Sequence, residues 1–186
     1  MSIGNWDLQT MWIKYLITIL LFYFFALLQS SFFIYFNVFG AVPNLIFVLY
    51  FTVIFFDKKN NYYGAIFYAM LAGLFLDIFS TYKIGLSIVL LVIIGILIKK
   101  IQSSLSETKD DYSFAHFAIL FFASFLIYHL SLKACLYFLN PNFIALTLNF
   151  KFLAELMYSL FFGAVGFYIC KNLLKLDKNN KQNKFF

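Results

Sequence analysis

The sequence predicts an all-α membrane protein, a single domain of six transmembrane helices. Three observations carry this. The 186 residues are 63% hydrophobic and only 12% charged, whereas soluble domains are about half apolar and about a quarter charged. The apolar residues fall into six runs, and a crossing helix takes about 20 residues. The net charge of +6 comes from lysines gathered at the ends of those runs, with no arginine. Counted over alternate loops, eleven lysines, Lys58, Lys99 and Lys171 among them, share one side, and only Lys83, Lys133 and Lys151 take the other. That asymmetry predicts that both termini lie in the cytoplasm. It also explains the basic balance without nucleic acid, and no segment outside the runs is long enough to bury a core of its own.

In chain order, Trp6 and Trp12 stand where interfacial aromatics usually sit. The first span is read at 13–36; it is longer than a signal-peptide core and resumes after Ser31, so it is expected to remain as an uncleaved helix. Pro43 suits a first helical turn and pushes the residue before it out of the helical region, giving a short second span at 43–56. The third and fourth spans, 62–80 and 84–98, are joined by a tight turn at 81–83. A polar loop over 99–113 precedes the fifth span, 114–139, which Asn140 and Pro141 end. A semi-polar connection at 143–150 leads to the sixth span, 152–170. The Lys- and Asn-rich tail, 171–186, reads as a disordered cytoplasmic segment.

Ala65, Ala69, Gly73 and Asp77 recur every fourth residue and share one face of the third helix. Small residues at this spacing let another helix approach closely. That helix belongs either to this chain or to a partner protein. Gly163 and Gly166 make a similar notch in the last helix. An aspartate late in an apolar helix is costly in lipid and marks a functional or packing site. The layout puts Asp77 on the same, outward side as His129, Lys133, Lys151 and Glu155, which predicts a polar cluster in which Asp77 or Glu155 pairs with Lys133 or Lys151. The bland alternative is that the lysines snorkel to headgroups. Gln29, Ser30 and Ser31 offer hydrogen-bonding groups inside the first span and are expected to set helix register.

Catalysis is not expected. No Ser/His/Asp or Cys/His arrangement, no second deep aspartate to pair with Asp77, and no Gly-rich phosphate loop is present. No Cys/His cluster has metal-ligand spacing, so no metal or cofactor is expected. Cys135 and Cys170 are placed near opposite membrane faces, too far apart for a disulfide, and read as packing residues.

Taken together, several elements resemble the MreD family of bacterial rod shape-determining membrane proteins. They are Gln29 and Ser30 in the first helix, Gly40-Ala-Val-Pro43-Asn44-Leu45 before the second, Gly64 with Gly73-Leu-Phe-Leu-Asp77 in the third, and Gly85-Leu86 after the turn. Asn44 stands where the family usually carries Asp. The likeness covers residues 26–98, and the second half agrees in hydropathy alone. The resemblance implies a non-enzymatic scaffold of the cell-wall elongation machinery in the bacterial cytoplasmic membrane. Such a scaffold would form a complex with MreC, a single-span protein, and be linked to MreB, RodA and a class B penicillin-binding protein. On this reading the third-helix notch receives the partner's membrane helix. MreD-like proteins are also similar in fold to the substrate-binding S components of energy-coupling-factor transporters, which gives the alternative of a small-molecule (vitamin) uptake subunit.

Overall fold

Helices form where the apolar runs demand them, because in lipid every backbone N–H and C=O must find its partner within the protein. The computed structural model describes residues 4–58, 61–80, 84–104, 113–139 and 150–182. Among these, α1 covers Gly4–Leu27 and continues as one π-helical turn, Leu28–Phe32; α2 covers Leu45–Phe56, α3 Tyr62–Ile78, α4 Leu86–Ser104, α5 Phe114–Leu139 and α6 Phe150–Gln182. The predicted connections at 81–83 and 140–149, and 105–112 within the long polar loop, lie outside the described residues.

Four helices are long and apolar enough to cross a membrane, over Tyr15–Phe32, Leu86–Ser104, Phe114–Phe138 and Phe150–Leu173. The other two, α2 and α3, are apolar but shorter. At 1.5 Å per residue α2 rises about 18 Å and α3 about 26 Å, against a hydrocarbon core of about 30 Å. The tail departs from expectation, since α6 runs on to Gln182 instead of ending near residue 170. No Gly or Pro occurs between 171 and 182 to stop it.

The helix at the centre is the short one. Nine of the twelve residues of α2 are buried, and its apolar residues are spread around the whole circumference. A helix apolar all round belongs inside a bundle. It packs against α1, α3, α4 and α6. Against α5 it presents a ladder of rings: Phe47, Phe51 and Phe55, one turn apart, interleave with Phe117, Phe121 and Phe125, also one turn apart, at centroid separations of 5.1–5.7 Å and near-perpendicular planes. Edge-to-face pairs add about 0.5–1.5 kcal/mol each beyond area burial. The abundance of Phe is therefore built into the core as well as into the lipid-facing surface. Tyr50 is fully buried, and its hydroxyl donates to the Leu91 carbonyl of α4 at 2.5 Å.

The α3 stripe faces α4. Ala65, Ala69, Ala72, Gly73 and Asp77 are all buried. A Cβ on Gly73 would stand 2.5 Å from the Ile88 Cα, so the glycine lets the first turn of α4 lie directly on α3. The notch predicted to receive a partner's helix is filled within the chain, because α3 and α4 pack against one another with Gly73 directly under the Ile88 backbone. In α6, Gly163 lies under the Phe117 and Phe121 rings of α5, and Gly166 lies beside Thr52 of α2, so these two are internal contacts as well.

Candidate functional site

A helix of 12 residues sunk in a bundle raises a question that water cannot answer: where the orphan groups at its two ends find partners. At the N-terminus of α2 every leading amide is met. The Asn44 N–H donates to Ser159 Oγ of α6 at 2.9 Å, and the Leu45 N–H to the Pro43 carbonyl at 3.1 Å. The Ile46 N–H donates to Gln29 Oε1 at 3.3 Å, and the Phe47 N–H to Asn44 Oδ1 at 3.0 Å. Asn44 is thus the N-cap, 7% exposed, and Pro43 before it is buried. The π-helical turn carries Gln29, whose side chain provides the cap supplied by α1. Ser30 only returns a bond to the Leu27 carbonyl. Ser159 lies nine residues into α6, about 14 Å along its axis, so α2 starts well below the end of the bundle.

At the other end, Lys99 of α4 is fully buried and its Nζ donates to three carbonyls: Ile54 at 2.8 Å, Asp57 at 3.2 Å and Lys58 at 3.0 Å. The Asp57 carboxylate stands 4.0 Å from the same ammonium and accepts from Asn61 Nδ2 at 3.0 Å. Gln102, two residues before the end of α4, donates to the Phe55 carbonyl at 3.1 Å. A cation at the C-terminus of a helix also meets the negative end of its dipole. The sequence places Lys99 in a cytoplasmic loop. It is instead a helix cap, because α4 runs to Ser104 and turns Lys99 onto the face shared by Leu91, Gly95 and Gln102.

Asp77 does the same work for α4. Its carboxylate accepts from the Gly85 N–H at 2.6 Å and the Ser87 N–H at 3.1 Å. Gly85 takes a φ of +104°, open to glycine, and its own carbonyl begins the α4 ladder by accepting from Val89. Asp77 is 2% exposed. An anion in contact with the first amides of a helix is favoured by both hydrogen bonding and the dipole. On the far side, Tyr128 of α5 and Ser87 share a hydrogen bond between their hydroxyls at 3.2 Å, so α5 is tied to the capped start of α4.

The predicted outward polar cluster is accordingly divided. His129 Nε2 and Glu155 Oε1 face one another at 3.3 Å across α5 and α6, without the alignment of a hydrogen bond. The imidazole is surrounded by the rings of Phe125, Tyr128 and Phe152. Lys133 lies over the Phe152 ring at 5.8 Å, and Lys151 is exposed. Asp77 turns to the α4 amides, because a carboxylate at the end of α3 reaches the adjoining helix start with the least rearrangement. Gly40 sits with Phe39 at the tip of a tight hairpin, both at positive φ. Gly64 is the third residue of α3, and its N–H donates to the capping Asn61 Oδ1 at 3.0 Å.

Among the described residues no group of three His, Cys, Asp or Glu side chains converges as a metal set. Cys135 and Cys170 are both free thiols. What the arrangement can do is hold two helix starts and one helix end inside a low-dielectric medium. The chain is in class an all-α protein with helices fit to cross a membrane. No family model, curated protein or solved structure matches it.

Proposed function

We propose that this chain is an MreD-like, non-enzymatic scaffold of the bacterial cell-wall elongation machinery, crossing the cytoplasmic membrane six times with both termini inside. One observation carries the reading: the polar residues on which the resemblance rests, Gln29, Asn44 and Asp77, are directed to backbone amides at the starts of α2 and α4. They hold a shape and are not grouped around a reactive centre. In this reading α2 is a recessed crossing, extended by the 33–44 segment on one side and by Asp57 and Lys58 on the other. On this reading the fold is similar to that of the S components of energy-coupling-factor transporters, used for assembly instead of uptake. The partner is an MreC-like single-span protein, with MreB, RodA and a class B penicillin-binding protein reached through it.

Because α4 fills the α3 notch, the partner's helix packs on the lipid-facing flanks. The α1 span, 11% buried, is the most open of the four. The test is affinity purification of the tagged chain from native membranes in mild detergent. A stoichiometric single-span partner, and loss of rod shape on depletion, are the expected results. Recovery of an ATPase module with a tightly held metabolite, and no single-span partner, would identify an uptake subunit and refute the proposal.

A further inference from the structure

The α1–α2 connection is a hydrogen-bonded hairpin that displays aromatic rings. Val38 and Ala41 exchange both of their backbone hydrogen bonds, at 3.0 and 2.9 Å, around the two-residue tip Phe39–Gly40. Both tip residues have positive φ, 53° and 74°. Such tips favour Asn-Gly or Gly-Gly, and a bulky side chain there is a genuine outlier. Phe39 is nevertheless 75% exposed, with Tyr35 at 85% and Phe36 at 57% beside it. The backbone cost of a positive φ is the same in any medium, but the exposure of the Phe39 ring is unfavourable in water, so what surrounds the hairpin is expected to be apolar.

Two further features identify that surrounding. Much of the backbone flanking the tip is paired: the Phe36 carbonyl accepts from the Tyr158 hydroxyl, the Ile34 carbonyl from Asn37 Nδ2, and Val38 and Ala41 satisfy each other. A loop paired in this way at its base, with its tip groups left to headgroups and water, suits the membrane boundary and not the hydrocarbon core. The surface is also continuous with the crossing helices, since the Phe39 ring meets that of Phe150 at 5.2 Å, where the α6 span begins. Phe150 is 65% exposed, and Phe138, at the end of the α5 span, is 83% exposed. We infer that the Val38–Ala41 hairpin is an interfacial anchor, with Phe39 and Tyr35 lying in the headgroup–acyl boundary of the bilayer. This inference stands apart from the proposed scaffold function and holds for an uptake subunit as well.

The test uses the full chain carrying Trp6→Phe, Trp12→Phe and Phe39→Trp, reconstituted into phosphatidylcholine vesicles with bromines placed near the headgroups or near the bilayer centre. The single indole, now at the hairpin tip, is expected to lose most of its emission to the shallow bromines, little to the deep ones, and little to iodide in the water. Tyr35→Trp in place of Phe39→Trp gives a second reading should the first variant fail to fold. Quenching by iodide and not by bromolipid would put the hairpin in water and overturn the inference. Protection from both quenchers would show that protein covers the hairpin, and would overturn it equally.

Discussion

Asp77→Ala removes the acceptor for two amides at the start of α4 and leaves both facing an apolar interior. Hydrogen bonds to a charged group contribute about 1.5–3 kcal/mol each. Interhelical polar contacts in membranes average only about 0.6 kcal/mol, because the unfolded chain in lipid finds other partners. A doubly accepting, 2% exposed carboxylate that joins sequence-adjacent helices falls between these limits, at about 2–4 kcal/mol for Asp77→Ala. Asp77→Asn keeps one carbonyl oxygen but sets an NH2 against an N–H, so it is expected to cost about half as much. The assay is reversible unfolding in mixed micelles, followed by circular dichroism, with Lys151→Met as an exposed control. Both Asp77 variants unfolding within about 0.5 kcal/mol of the parent, the range of an uninvolved surface change, would refute the capping role.

Lys99→Met exchanges a buried ammonium for an apolar chain of similar length, removing the desolvation cost along with three carbonyl contacts. Leaving buried carbonyls without their donor costs about 1–3 kcal/mol, and the loss is expected to show as faster amide exchange through the last turn of α2. Unchanged stability and exchange would mean that water reaches those carbonyls. Gly73→Val forces a side chain against the Ile88 backbone; overpacking of this kind costs about 1–3 kcal/mol. Cysteines introduced at Ala69 and Leu91 should then crosslink more slowly than in the parent, and an unchanged crosslinking rate would place α4 elsewhere.

Much of this architecture is legible in the sequence, for physical reasons. Apolar runs locate all six helices, because hydropathy and the need to pair the backbone act on every residue of a span. Pro43 and Asn44 mark the start of α2, and the cost of an anion in lipid marks Asp77. What the sequence hides is direction. It points Asp77 to a lysine partner, since charge complementarity is visible in a sequence and a backbone amide is not. Lys99 ends an apolar run and so reads as a snorkelling lysine. Its four-residue spacing from Gly95, together with an α2 too short to bring its last carbonyls to water, is the signal for a buried cap. The third-helix stripe is a close-packing face, as its spacing implies, but a stripe does not name its occupant. The Phe39–Gly40 turn leaves no trace in the sequence because phenylalanine is not a residue that advertises positive φ.

The central claim is that α2 is a recessed rod whose ends are closed by side chains from α1, α4 and α6. Amide hydrogen exchange measured residue by residue in lipid nanodiscs tests it most directly. The amides of Asn44, Ile46 and Phe47, which an uncapped helix start leaves to solvent, should be as protected as those in the middle of α2, and Gln29→Ala should release Ile46 selectively. Exchange of those three amides at the rate of an open peptide in the parent chain would contradict the claim.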